Sequence, residues 1–239
     1  MAKRTSEGTG RAPRRTDGLS RELIVRTAVE ILDGGGERAL TLRELTVRLS
    51  TGYGAVYHYV ADKGDLLAAA TEDVVAGVVS GAVAEAGTDP RTALRRLAVG
   101  LFDATDAHPW VGAELSRQPW RPALLDFFES IGRLLDALDV PDGARVDAAG
   151  TLVNYVLGVA AQNAAHARLR ADRGTDRETF LTEASDRWAQ VDPGRYPFVH
   201  AAARQLGEHD DRRQFLVGVD VFLAGISAQS RNATADPSA

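Results

Sequence analysis

Within residues 53–59, Tyr53, Ala55, Tyr57, His58 and Tyr59 supply three phenolic hydroxyls, an imidazole and a methyl group. Groups of this kind hydrogen-bond to, or pack against, the base edges that a DNA major groove displays. Val56 and Val60, four residues apart, can anchor the opposite side of such a segment, and Gly54 lets its backbone come close to a partner. Arg43 and Lys63 flank the stretch as cations suited to phosphate oxygens, which position a protein on a duplex without reading its sequence. Other chemistries lack comparable patterns. The chain has no cysteine, which excludes a disulfide framework, a thiolate zinc site and a cysteine nucleophile. It has no G-x-S-x-G, H-E-x-x-H or P-loop, and Gly52-Tyr53-Gly54 lacks the preceding strand and third glycine of a dinucleotide site. His108 and His166 have no companions at metal-ligand spacing. No cofactor, metal or enzymatic activity is therefore expected.

The elements that must position these residues read as helices throughout. Apolar residues recur at 3.6-residue period and nowhere sustain a period of two, so the fold class is all-α. A first helix runs from a Ser20 N-cap to Asp33, with Ile24, Ala28, Ile31 and Leu32 on one face and Gly34, Gly35 and Gly36 ending it. A second opens at Thr41. Thr41 and Glu44 have the spacing of a capping box, and Leu40 with Leu45 that of a hydrophobic staple. A tight turn containing Gly52 leads to a third helix over 53–60, and a fourth begins at Asp62. Three short helices in this order make a helix-turn-helix whose last member can enter a groove.

Beyond residue 87 the pattern predicts helices over 90–107, 109–117, 120–139, 142–171, 175–190, 196–207 and 211–230. Residues 150–167 are apolar on almost every side apart from Asn154, Gln162 and Asn163, which predicts a central helix. The expected division is a flexible basic arm (1–19), a helix-turn-helix DNA-binding domain (20–67), a larger helical bundle (68–230) and a disordered tail (231–239).

The net charge of −5 is unevenly spread. Residues 1–65 carry 11 Lys+Arg against 9 Asp+Glu, whereas residues 66–239 carry 17 against 24. A weakly basic head on an acidic body fits one part that meets an anionic surface and another that does not. The basic arm suits either a solvated tail or a segment reaching phosphates or the minor groove. No uninterrupted apolar run approaches the length of a membrane span, and no secretory leader is recognisable. A cytoplasmic protein with no membrane partner is expected.

The run Leu40-Thr41-Leu42-Arg43-Glu44-Leu45, then Gly54-Ala55-Val56-Tyr57-His58-Tyr59-Val60-Ala61-Asp62-Lys63 and Asp65-Leu66-Leu67, resembles the DNA-binding domain of TetR-type transcriptional regulators. The resemblance implies that Arg43, Tyr53, Ala55, Tyr57, His58, Tyr59 and Lys63 face DNA. His58-Tyr59 reverses the common aromatic-histidine order of that family. The C-terminal stretches Asn154-Tyr155-Val156-Leu157-Gly158, Pro197-Phe198-Val199 and 215–225 are similar to the ligand-binding domain of tetracycline-repressor-like members. That similarity implies a four-helix dimer interface from residues 150–167 and the last helix, and an effector pocket between helices. Phe102, Trp110, Trp120, Phe127, Asn154, Gln162 and His166 are the expected pocket residues, suited to a small hydrophobic, partly polar effector. A single short recognition segment covers few base pairs, so a homodimer on a near-palindromic double-stranded operator is expected, with half-sites roughly 10 base pairs apart. The expected function is an effector-released repressor. The alternative is an all-α dimeric module that binds a small molecule or protein without specific DNA recognition.

Overall fold

The computed structural model describes residues 19–85, 89–117 and 122–235, and the regular elements among them are all α-helices. In α1 (Arg21–Ala39) the Ser20 hydroxyl accepts the Leu23 N–H at 3.2 Å, and Ile24, Ala28, Ile31 and Leu32 are buried. The glycine run does not end this helix at Asp33. Helical backbone continues through Gly34 and Gly35 and breaks at Gly36, whose φ of +64° is a conformation that a side chain disfavours. A glycine inside a helix costs only about 1 kcal/mol relative to alanine, so packing elsewhere on the helix overrides it.

Thr41 caps α2 (Leu42–Arg48) by accepting the Glu44 N–H at 3.1 Å, with Leu40 and Leu45 fully buried beneath it. The second half of the expected capping box is replaced by an ion pair, since the Glu44 carboxylate takes Arg48 Nε at 2.9 Å. α3 (Tyr53–Tyr57) is shorter than the expected 53–60. The left-handed residue of the intervening turn is Ser50, φ +50°, while Gly52 has ordinary extended backbone as the N-cap of α3. α4 (Lys63–Glu85) opens at Asp62, whose carboxylate accepts the Asp65 N–H at 2.8 Å while Asp65 accepts the Ala61 N–H at 2.9 Å.

α5 (Pro90–Ala107) and α6 (Pro109–Arg117) have the expected bounds, because proline at the first helical position and His108-Pro109 between them leave the chain little choice. α7 (Pro122–Asp136), α8 (Asp142–Arg173), α9 (Arg177–Ala189), α10 (Pro197–Leu206) and α11 (Asp211–Ala235) complete the body. α11 continues past Ser230, where a disordered tail was expected. The arm over 1–18 and residues 236–239 lie outside the described residues.

α4 packs on α5 and α7, both of which pack on α8, and α11 lies against α5 and α8. Leu94, Leu97 and Leu101 of α5, Phe127, Ile131 and Leu135 of α7, and Leu152 and Val156 of α8 fill the space between them. α1 bridges the small N-terminal unit to this bundle through α4 and α6. α9 and α10 pair chiefly with each other, forming a hairpin beside α8 and α11. α8 is central on one side only: Leu152, Val153 and Val156 are buried, whereas Thr151, Asn154, Gly158, Ala161 and Ala165 are exposed. Among the described residues no helix is long and apolar enough to cross a membrane.

Candidate functional site

The helix-turn-helix corner sorts its side chains by burial. Val56 and Val60 sit in the core with Leu45, and Tyr53 and Tyr57 remain 50% and 51% exposed. Gly54, Ala55 and His58 share this outward side, with open space over the Gly54 Cα. Arg43, in the first turn of α2, is also exposed. Two residues of the expected set depart from it. The Tyr59 hydroxyl donates to the Leu19 carbonyl at 2.6 Å, because α3 ends at Tyr57 and the following turn swings Tyr59 against the start of α1. Lys63 Nζ donates to the Glu37 carbonyl at 2.6 Å, so it serves the frayed end of α1 while two ammonium protons stay available. The exposed face therefore comprises Arg43, Tyr53, Gly54, Ala55, Tyr57 and His58.

Polar contacts tie this corner to the body. Asp33 Oδ1, on α1, meets His108 Nδ1 at 2.7 Å and accepts the Trp110 indole N–H at 2.8 Å. Arg117 reaches Glu37 at 3.0 Å and the buried Glu114 at 2.7 Å, and the Glu37 contact in particular holds the guanidinium more firmly protonated. The Asp33 contacts link α1 to the α5–α6 junction, and the Glu37–Arg117 pair links it to the C-terminal end of α6.

A cavity of about 680 Å³ lies in the body between α8, α9, α10 and α11. Its walls include Tyr155, Phe180, Trp188 and Phe215, with Gln162, Asn163, His166 and Arg170 projecting from α8. The Tyr155 ring stacks on Phe215 at 5.4 Å, and Phe215 stacks in turn on Phe102 at 4.3 Å. Tyr155 donates to the Phe215 carbonyl at 3.2 Å, and burial raises its phenol above the ordinary range. Gly218 makes room at this crossing, since a Cβ there would collide with the Tyr155 hydroxyl and ring. A smaller hollow of about 240 Å³ adjoins the cavity across Asn163, His166 and Arg170 and ends at Asp106 and Pro109, next to His108. Among the described residues no group of three or more His, Asp or Glu is arranged to hold a metal ion.

Of the residues expected in a pocket, Gln162 and His166 line the large cavity. Phe102 contributes to the smaller hollow and backs the Phe215 stack. Phe127 is fully buried in the α7 core, and Trp110 serves the α1 contact with Asp33, so neither lines the cavity. Asn154 is exposed on the outward side of α8, and Trp120 lies outside the described residues. Sequence reasoning missed the hairpin wall of Phe180, Leu181 and Trp188, and also Tyr155, Arg170 and Arg177. The one available signal was Phe215-x-x-Gly218, a small residue one turn from an aromatic, which leaves room for a ring from a crossing helix.

A small outward helix on a capped corner, carried by a helical body that contains a ligand-sized cavity, defines a helix-turn-helix regulator. Residues 84–230 match the tetracyclin repressor-like C-terminal domain family. The chain is 30% identical over 241 residues to the HTH-type transcriptional repressor DrrR1 of Streptomyces coeruleorubidus, covering 95% of this chain and 86% of that protein. Among solved structures it is similar to the transcriptional regulator SCO7222, a TetR from Streptomyces coelicolor, with 45% identity, a TM-score of 0.78, and coverage of 89% of this chain and 99% of that one. It shares its fold with the TetR family protein ActR of Streptomyces coelicolor in complex with actinorhodin, at 22% identity and a TM-score of 0.69, over 89% of this chain and 98% of that one. The chain belongs to the TetR family and is a transcriptional regulator.

Proposed function

We propose that the protein is a cytoplasmic repressor that grips a near-palindromic operator as a homodimer and lets go when a small molecule occupies the 680 Å³ cavity. The observation that carries this reading is the two-sidedness of α3, with Val56 and Val60 inside and Tyr53 and Tyr57 outside. A base-reading helix needs that arrangement, because the anchoring face fixes its angle while the free face meets the groove. Arg43, Tyr53, Gly54, Ala55, Tyr57 and His58 form the proposed DNA face, with Lys63 beside it.

Pairing of two copies has support in the body. Val217 and Val221 on α11 are 57% and 67% exposed, and Ala224 and Gly225 continue their stripe. Thr151 of α8 and Gly225 of α11 border one groove, which places the exposed stripe of α8 on the same side. An apolar surface shared by two long helices is suited to cover its own copy. The cavity touches Gln162 and Val217, so it opens beside the proposed interface, and its contents can bias the distance between two heads. A hundredfold loss of operator affinity requires about 2.7 kcal/mol of coupling between the two sites.

Selection from a random duplex library tests the reading. Enrichment of a two-fold symmetric site, with half-sites about one helical turn apart, is the expected result; enrichment without symmetry contradicts it.

A further inference from the structure

The charges around the large cavity do not cancel. Among its described lining residues the one carboxylate is Asp211, and it is already engaged: Arg177 takes Oδ2 at 3.1 Å and His209 Nε2 lies 3.1 Å from Oδ1. Arg177 is further committed to the His209 carbonyl at 2.7 Å. Arg170, from the end of α8, lines the same space half-buried, and no carboxylate among the described residues lies within ion-pair distance of its guanidinium. A partly desolvated cation without a counter-ion is unfavourable until an anion joins it, and a guanidinium fork matches a carboxylate with two parallel hydrogen bonds. The remaining walls favour flat rings: Tyr155 lies within 7° of parallel to Phe215, and His166 approaches Phe180 at 5.8 Å, with Trp188 on the hairpin.

We infer that the effector is a planar aromatic acid, its rings held between the Tyr155 wall and the Phe180–Trp188 hairpin and its anionic group bound by Arg170. This rests on the reading of the cavity as the effector site. Gln162, Asn163 and Gln214 supply donors and acceptors for peripheral oxygens, and the Tyr155 hydroxyl stays with the Phe215 carbonyl.

Calorimetric titration of the full chain with anthracene-2-carboxylate and with its neutral counterpart 2-(hydroxymethyl)anthracene tests the inference. The acid is expected to bind at least about tenfold more tightly, in line with a charge-assisted hydrogen-bonded pair. Arg170→Gln should remove that preference while leaving affinity for the alcohol within about twofold, which also shows that the cavity has kept its shape. Equal affinity for both probes, a preference that survives Arg170→Gln, or binding of neither probe overturns the aromatic-acid assignment. Ala184→Trp, which fills the cavity from the hairpin side, separates the two levels. Loss of both probes in this variant is the expected result, and undiminished binding of both shows that they sit elsewhere and overturns the reading of the cavity itself.

Discussion

Trp110 on α6 donates its indole N–H to Asp33 on α1 at 2.8 Å, so one carboxylate at the root of the DNA-facing corner is held by the body of the molecule. His108 meets the same oxygen at 2.7 Å from the α5–α6 junction, against which the smaller hollow ends at Pro109. Trp110→Phe deletes this hydrogen bond and leaves a void where the larger indole was buried, so it should cost about 2–4 kcal/mol. Asp33→Ala keeps the indole but leaves its mostly buried N–H without an acceptor and should cost about 1–3 kcal/mol. Urea unfolding of both variants checks the two losses, and an Asp33→Ala variant as stable as the parent would contradict the account.

The Thr41 cap lends itself to a simple deletion. Thr41→Ala removes the acceptor of the Glu44 N–H and should lower stability by about 1 kcal/mol. An unchanged melting curve would mean that α2 does not depend on this cap.

Ser50 adopts φ +50° in the turn between α2 and α3, a conformation that costs an L-residue about 1–2 kcal/mol. Ser50→Gly should therefore stabilise by about 0.5 kcal/mol after the added unfolded-state entropy is deducted. Ser50→Val should destabilise, because a branched Cβ tolerates this region least. The midpoint of chemical unfolding, at constant slope, reports both; two shifts of the same sign would contradict the turn geometry.

Three exposed carboxylates at helix starts predict an acid limb. The Thr92 hydroxyl holds Asp89 below the ordinary carboxylate range, the Thr179 N–H does so for Asp176, and the Arg213 N–H for Asp210. Each is depressed in the folded state, so its contribution is complete above about pH 4 and is lost as the pH falls through the folded value. Melting temperature should be nearly flat above about pH 5 and fall below about pH 4. Asp176→Asn keeps an acceptor at the cap without ionising, so its acid limb should be shallower; an identical limb would rule out this origin.

The helix-turn-helix was legible because its signals are local. Ser20, Thr41 and Asp62 act on N–H groups three residues away, and Val56 and Val60 need only a helical period to reach Leu45. Pro90 and Pro109 fixed two helices for the same reason. The glycine run misled because glycine permits a break without enforcing one, and the break fell at Gly36. Tyr59 departs from the expected outward set because α3 ends three residues before Val60, and the turn that follows brings its hydroxyl to the Leu19 carbonyl. The cavity was the least legible feature. An aromatic that fills a core, such as Phe127, has the same composition and period as one that walls a void, such as Phe180, and the α9–α10 hairpin decides between them through tertiary packing.

The central claim is that the outward side of α3 reads base edges, and duplex binding by a Tyr57→Ala variant tests it most directly. One base contact is worth about 1–3 kcal/mol, and a dimer loses it twice, so specific operator affinity should fall by about 2–6 kcal/mol with helical circular dichroism unchanged. Full affinity for the selected operator in this variant, measured at the same salt concentration, would contradict the account.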